Sequence, residues 1–454
     1  MLRVHDTALG RLVDLETREP GKVSMYVCGP TVYDVPHIGH GRFALVFDVI
    51  RRYLEWRGFE VRYVSNITDI EDKIIAKAQA EGTSSDDVVA RYTDAWFEAM
   101  DALGVRRPDV VPTATAYVPQ MVAYIADLIE RGRAYVTADG VYFSVRSLEG
   151  YGLLAKQSLE SMRAGGGDRE IVGEAGKREP FDFALWKTAK PGEPAWESPW
   201  EPGRPGWHIE CTVMALDLLG EGFDLHGGGD DLTFPHHENE RAQAVAGDHP
   251  FARHWLHNGM VVGRGGEKMS KSLGNYVSLT ELLASVDPRA YRLLVLRSKY
   301  RTQIEVTPET LDDAAEGIAK LDNFARRTTS LVPAEPADAV VDRFRAAMDD
   351  DFATPSALAV IFEAVRDGNV ALDRGDALAA APLAAAVREL TGALGLALRS
   401  GGDEAVDDES ATLAAQRDEA RAAKDWARAD ALRTALEERG WTVQDGAAGT
   451  RLTR

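Results

Sequence analysis

The chain has 454 residues, 45% of them hydrophobic and 27% charged, which suits a soluble globular protein of two to four domains. That composition excludes a disordered tail, a collagen and a disulfide-stapled secreted module, and the only two cysteines, Cys28 and Cys211, point to a reducing compartment. With 52 Lys+Arg against 72 Asp+Glu the net charge is −20, which disfavours a generic nucleic-acid binder.

Residues 1–20 mix charges with leucines and lack the apolar core of a signal peptide. A β-like run, 23–28, meets Gly29-Pro30 and gives way to an apolar-periodic stretch over about 37–56, then to a second β-like run, 59–67. Strand, helix, strand is the βαβ opening of a parallel α/β domain. Helical patterns continue to about Arg133, and residues 134–145 (AYVTADGVYFSV) predict a hairpin turned at ADG. Residues 160–205, rich in Gly, Pro and Trp, read as an irregular insertion in which Trp186, Trp196 and Trp200 pack. Strand-like segments return at 223–225 and 255–262 around a helical stretch, 235–246, so the α/β domain is interrupted and then completed. After about Leu279 the pattern is almost wholly helical. The apolar run 378–398 is broken by Arg388 and Glu389 and predicts a packed helix rather than a membrane span. Pro333 and Pro336 mark a boundary, 400–410 an acidic linker, and a last helix over 413–439 stops at Gly440.

Two segments carry phosphate-handling chemistry. Residues 28–42 (CGPTVYDVPHIGHGR) place His37 and His40 around Gly39 where a strand passes into a helix, the end at which backbone N–H groups and the dipole favour phosphate. Residues 263–275 (GRGGEKMSKSLGN) form a glycine-rich stretch with Lys268 and Lys271, flexible cations suited to clasping the phosphates of ATP and releasing pyrophosphate. A third pattern is a set of metal-compatible side chains. Cys28 and Cys211 both lie inside motifs, and His236 and Glu240 are i, i+4, on one face of a helix. Spacing alone leaves open buried apolar cysteines and a surface His–Glu hydrogen bond.

HIGH at residues 37–40 with KMSKS at 268–272 is the signature pair of the class I aminoacyl-tRNA synthetases. The segments CGPTVYDVPHIGHGR, NITDIEDKII (66–75), GRPGWHIEC (203–211), HGGGDDLTFPHHENE (226–240) and KMSKSLGN resemble cysteinyl-tRNA synthetases, in that family's order and spacing. DDDFATP (349–355) and DWARAD (425–430) extend the resemblance over essentially the whole chain, and Glu71, where the family more often has aspartate, is a mild departure.

The resemblance implies the following. The fold is a Rossmann-like parallel α/β catalytic domain with an insertion, then a helical bundle and a small C-terminal anticodon-binding domain. Its halves are residues 1–110 and 201–262, with an insertion at 111–200, a KMSKS and connecting region at 263–335, a bundle at 336–400 and the tail at 401–454. Cys28, Cys211, His236 and Glu240 hold one Zn2+ per chain. Zinc prefers a soft thiolate to a hydroxyl, so cysteine is told from near-isosteric serine by bonding rather than fit, and no editing domain is needed. Thr31, Thr68, Trp207, His226 and Asp231 bind cysteine; His37, Gly39, His40, Lys268 and Lys271 bind ATP with Mg2+. The resemblance assigns no role to His208 and His237, which by themselves read as supporting or packing residues. The partners are cysteine, ATP and tRNA(Cys), the chain is monomeric and its location cytoplasmic.

Arg417, Arg421, Lys424 and Arg428 follow spacings of four, three and four, which predicts one basic stripe on the last helix beside Trp426; by itself such a stripe reads as a solvated face. In the family frame Arg421, Trp426, Asp430 and Asp445 match anticodon-contacting positions, where aspartates accept hydrogen bonds from base edges. Two rivals stand beside this reading. One is a ligase joining cysteine to a glucosaminyl-inositol amine, which shares the catalytic half but lacks the tail; the other is an inactive RNA-binding paralogue, against which intact motifs argue.

Overall fold

The computed structural model describes residues 1–164, 176–263, 265, 277–400, 407–446 and 449–453. It divides into two units, one of residues 1–319 and 334–397, the other of 320–333 and 398–454.

In the larger unit four parallel strands stand in the order His254–Asn258, Leu225–Gly229, Lys22–Val27, Glu60–Ser65. The Lys22–Val27 strand is covered on both faces, with Val23, Met25, Tyr26 and Val27 at most 1% exposed, so its sequence is an apolar run rather than an alternation. From it the chain crosses through the helix Ile38–Trp56 to Glu60–Ser65, and only much later adds Leu225–Gly229 on the other side. The strand order therefore reverses between Lys22–Val27 and Leu225–Gly229, and the crevice at the carboxyl ends of such strands is where open α/β sheets bind ligands.

The strand Leu225–Gly229 extends through HGGG, which carries no strand propensity. Packing explains it. A Cβ on Gly227 would lie 2.3 Å from Cε1 of Phe47 on the Ile38–Trp56 helix, and one on Gly228 would lie 2.6 Å from Cε1 of His237. Glycine lets a helix and a histidine press against this strand, at the expense of the pattern by which a strand is recognised.

The insertion is more regular than its composition predicts. Ala134–Thr137 and Gly140–Phe143 form the expected hairpin, and Phe183–Thr188 and Gly203–Pro205 extend it to a four-stranded antiparallel sheet. Reading 160–205 as irregular is corrected here for those two strands. Gly203–Pro205 is an edge strand, where proline and glycine are tolerated, which is why its residues look like loop. Trp186 is fully buried, donates from Nε1 to the Glu201 carbonyl, and meets the Trp200 ring edge-on.

Beyond Leu279 the larger unit is helical apart from the short strand Ile304–Glu305, its helices including Leu279–Ser285, Pro288–Leu296, Asp338–Met348, Thr354–Asp373 and Ala377–Ala393. The Ala377–Ala393 helix buries Ala380, Ala384, Val387 and Leu390. Among the described residues no helix is long and apolar enough to cross a membrane.

The smaller unit corrects a second expectation. The single helix over 413–439 is two, Asp408–Ala422 and Trp426–Glu438, followed by a hairpin of Thr442–Gly446 and Gly449–Thr453. Lys424 takes a left-handed conformation (φ 58°) and the Asp425 carboxylate accepts from the Arg428 N–H at 3.1 Å, capping the second helix. Ala423 and Lys424 are good helix formers, so no breaker announces the turn. The basic stripe is accordingly not one face. Arg417 is inside the unit, donating to Thr450 Oγ1 at 2.7 Å, Lys424 is in the turn, and Arg428 belongs to the second helix. Gly440 (φ 82°) follows the last helical turn as expected.

Candidate active site and metal centre

His37 caps the helix Ile38–Trp56. Its Nδ1 accepts from the His40 N–H while His40 Nδ1 accepts from the His37 N–H, both at 3.3 Å, and the rings stack at 3.8 Å. Because each Nδ1 is an acceptor, each neutral ring carries its proton on Nε2. Burial first, and the neighbouring His37 second, pull the His40 pKa down to about 3. A Cβ on Gly39 would come within 2.8 Å of His37 Cε1, so glycine is what leaves room for that ring. Two Nε2 positions able to donate thus stand at a helix N-terminus beyond a parallel strand, an arrangement chemically capable of meeting phosphate oxygens. An NMR titration of the His40 ring is expected to show no inflection between about pH 5 and 8, since a pKa near 3 leaves it neutral throughout.

Cys28, just past Lys22–Val27, meets residues from two later segments. The helix Trp207–Leu219 brings Cys211, and the turn Thr233–His237 running into Glu238–Ala246 brings His236 and Glu240. All four are buried, and their ligand atoms lie within 4.8 Å of one another. Cys28 Sγ is 3.3 Å from Glu240 Oε1, and His236 Nε2 is 3.0 Å from the same oxygen. His226 and His237 form a second cluster of this size with Cys28 and Glu240. His226 Nε2 faces the other carboxylate oxygen at 2.8 Å, and His237 turns Nδ1 to His257 Nε2 at 2.7 Å. Burial pushes the Cys28 thiol well up and the Cys211 thiol up, and holds His236 well below the usual imidazole range. Two sulfurs, a neutral imidazole and a carboxylate form a soft donor set that fits a zinc-like cation. The far nitrogen of His236, Nδ1, lies 2.9 Å from His208 Nδ1, and the ring stacks on Trp207 at 4.1 Å, the outer contacts that orient an imidazole ligand.

Thr31 and Thr68 face each other in a parallel bridge past the ends of their strands, where Thr68 N–H donates to Pro30 O at 3.0 Å. Asp231 is exposed on the turn Asp230–Leu232, beyond the end of Leu225–Gly229. Of the sequence-predicted residues, Cys28, Thr31, Thr68 and Asp231 all fall just past carboxyl ends of parallel strands. His226 lies within its strand, fully buried against Glu240. Lys268 and Lys271 lie outside the described residues. The ends of their segment are described, and the trailing end is tied to the HIGH turn: Ile38 N–H donates to Val277 O at 3.3 Å and Leu279 N–H to Pro36 O at 2.9 Å.

Asn66 and Glu210 lie inside the motifs NITDIEDKII and GRPGWHIEC, and sequence reasoning assigns neither a part. Asn66 Oδ1 accepts from Tyr26 OH (3.1 Å) and Gly29 N–H (2.9 Å) and lies 3.7 Å from Cys211 Sγ. Glu210 is fully buried and accepts from Thr68 Oγ1 at 3.1 Å, and burial pushes its pKa well up. A polar residue closing an apolar buried run was the available signal for Asn66. In the smaller unit Arg421 is half-buried, Trp426 is 58% exposed at the start of its helix, Asp430 is exposed one turn on, and Asp445 pairs with Thr450 across the hairpin.

Residues 14–316 match the catalytic domain of the class I (C) tRNA synthetases, and 343–399 match the DALR domain. The chain is 47% identical to the cysteine–tRNA ligase of Thioalkalivibrio sulfidiphilus over 461 residues, covering 99% of both. It is 46% identical to that of Halorhodospira halophila, covering 100% of both. In fold it is similar to Mycobacterium tuberculosis methionyl-tRNA synthetase bound to methionyl-adenylate, at TM-score 0.60 and 18% identity over 82% of this chain and 89% of that one. It is likewise similar to Agrobacterium radiobacter K84 AgnB2 leucyl-tRNA synthetase, at TM-score 0.61 and 12% identity over 84% of each. Full-length likeness includes the tail that a catalytic half alone would lack. With a parallel sheet open at its switch point and HIGH at the first helix, the chain belongs to the cysteine–tRNA ligases, enzymes of the class I aminoacyl-tRNA synthetase family.

Proposed function

We propose that this ligase holds one zinc through Cys28, Cys211, His236 and Glu240 and uses it to recognise cysteine. The observation that carries this reading is that four buried donors from three distant segments lie within 4.8 Å of one another, with Cys28 Sγ and His236 Nε2 both reaching the same carboxylate oxygen of Glu240. Zinc bound there supplies a soft Lewis acid that accepts a thiolate far more readily than a hydroxyl. The second cluster is given the supporting part: His226 holds the other oxygen of Glu240 and acts on cysteine through it, while His237 is held by His257. His236→Asn is therefore expected to empty the site, whereas His237→Asn should keep zinc with affinity lowered about 10- to 100-fold at most. Metal content of the purified variants checks this, and zinc lost from His237→Asn but kept by His236→Asn would favour the second cluster.

In the reaction Thr31, Thr68 and Asp231 hold the cysteine backbone, Asp231 taking the ammonium, and Trp207 closes over the site. The carboxylate is ionised at neutral pH, so its attack on the α-phosphorus of ATP needs no general base. Catalysis is then positioning and charge stabilisation by His37, Gly39, His40, Lys268 and Lys271, with Mg2+ carried by ATP, and pyrophosphate leaves. A terminal ribose hydroxyl of tRNA(Cys) then takes the cysteinyl group from the adenylate, the ester forming as the carboxyl–phosphate bond breaks and AMP and a proton are released. Arg421, Trp426, Asp430 and Asp445 read the anticodon, and the enzyme works as a cytoplasmic monomer. Cysteine- and ATP-dependent charging of tRNA, run beside a glucosaminyl-inositol acceptor, tests the whole scheme; charging of the amine instead would overturn it.

The tail has its own test. Deleting residues 401–454 should leave cysteine-dependent pyrophosphate exchange within about twofold, while raising the KM for tRNA by a factor on the order of ten or more, because remote contacts contribute binding rather than chemistry. Unchanged charging kinetics would remove the tail from anticodon reading.

A further inference from the structure

Arg42 lies two residues beyond His40 on the helix Ile38–Trp56 and is 1% exposed. Its Nη1 donates to the Met260 carbonyl at 2.7 Å, and its Nη2 to the carbonyls of Tyr300 (3.1 Å) and Thr302. Nε has no partner, and among the described residues no carboxylate pairs with the guanidinium. Burial lowers its pKa to about 10. A buried cation met only by carbonyls is a poor device for stability, since an apolar side chain of similar volume avoids the desolvation cost. What a guanidinium does here that neither lysine nor methionine can do is hold two backbone segments at once, with donors in a fixed plane.

Those segments are joined to each other as well. Gly259 N–H donates to Tyr300 O, Ile304 N–H to Met260 O, and Val261–Val262 pairs in parallel with Ile304–Glu305. The 300–302 turn is held in addition by Asp351, whose carboxylate accepts from Tyr300 OH at 3.0 Å and from Arg301 Nε and Nη2 at 2.9 and 2.7 Å. From Val262 the chain passes through Gly263 directly into the stretch bearing Lys268 and Lys271. Both described ends of that stretch are therefore fastened to the helix Ile38–Trp56 or the turn leading into it, the trailing end by backbone bonds at Pro36 and Ile38, the leading end by Arg42.

We propose that Arg42 is a positioning residue for adenylate formation, fixing the leading end of the lysine segment relative to His37 and His40. The proposal rests on the assignment of those histidines and lysines to ATP. Arg42 touches neither substrate; it acts through the backbone at Met260 and Tyr300.

The test is single-turnover adenylate formation with saturating cysteine and ATP–Mg2+, using the full chain and its Arg42→Lys and Arg42→Met variants. The first-order rate constant does not depend on how much enzyme is correctly folded, whereas the burst amplitude does. The rate constant is expected to fall about 10- to 100-fold, the loss that an ångström of misplacement produces, with cysteine affinity unchanged within about twofold. A wild-type rate constant with reduced amplitude would mean that Arg42 serves folding alone, and overturns the proposal. If the methionine variant does not fold, the lysine variant decides. In a Lys271→Ala background, Arg42→Lys should cost less than about threefold, because its route of action is already gone; full additivity overturns the proposal too. An unaltered chain that gives no burst would instead overturn the ATP assignment beneath it, an outcome distinct from a burst that Arg42 does not influence.

Discussion

Replacing Cys211 by serine is expected to remove zinc and cysteine activation together. The substitution takes a soft ligand from a set whose donors already converge within 4.8 Å, and the oxygen it leaves is a poor partner for zinc. Loss of an outer contact typically costs 10- to 100-fold in metal affinity, so loss of a ligand should lower cysteine-dependent pyrophosphate exchange by on the order of a thousand-fold or more. Cys28→Ser should match it. Burial pushes both thiols up, so without metal they stay protonated, and binding metal must release their protons. Zinc uptake by the metal-free protein should therefore acidify a weakly buffered solution and weaken as pH falls. X-ray absorption gives the direct measurement: adding cysteine should contribute one further sulfur neighbour at roughly 2.3 Å, and serine none. A constant sulfur count would mean that cysteine is recognised by another group. Full activity in Cys211→Ser would remove the metal from the mechanism altogether.

Lys271→Ala should slow adenylate formation by about a hundred- to a thousand-fold while leaving cysteine affinity nearly unchanged. A cation that clasps the phosphates interacts most strongly with charge that develops as pyrophosphate departs, so its removal appears in kcat rather than in KM. In the proposed scheme cysteine is held elsewhere, at residues 31, 68 and 231 and at the metal donors. Single-turnover kinetics separate the two effects, and a wild-type rate constant would sink the assignment. His40→Ala tests the other half of the proposed phosphate site. It removes an Nε2–H donor and, at once, half of the reciprocal cap with His37, so it should lower both the rate and the order of the helix start.

Much of this protein can be read from its sequence. The first βαβ unit, the 134–145 hairpin and the change to helices after Leu279 are local, because apolar periodicity and turn residues are set by neighbours along the chain. HIGH and KMSKS, and the i, i+4 relation of His236 to Glu240, are local as well. What periodicity hid were the elements shaped by something packed against them. Leu225–Gly229 is a strand made of glycines because Phe47 and His237 press on it. Gly203–Pro205 is a strand because it needs only one paired edge. The break at Lys424 follows from a cap at Asp425 just after Ala423 and Lys424, which favour helix, and it dissolves the basic stripe.

The sequence by itself determined the chemical inventory: two cysteines, the HIGH histidines and the KMSKS lysines, each in a segment whose residue types suit one task. Only the tertiary structure decided which of these groups meet. Cys28 and Glu240 are 212 positions apart, yet their side chains lie 3.3 Å from each other. The fold likewise chose the acceptor role of each HIGH Nδ1, the place of Asn66 beside Cys211, and the burial of Arg42 against three carbonyls. The reason is physical: a ligand set or a positioned phosphate clasp is a relation between distant segments. It is fixed by how strands order in a sheet and which helix covers them, and no window of sequence contains that order.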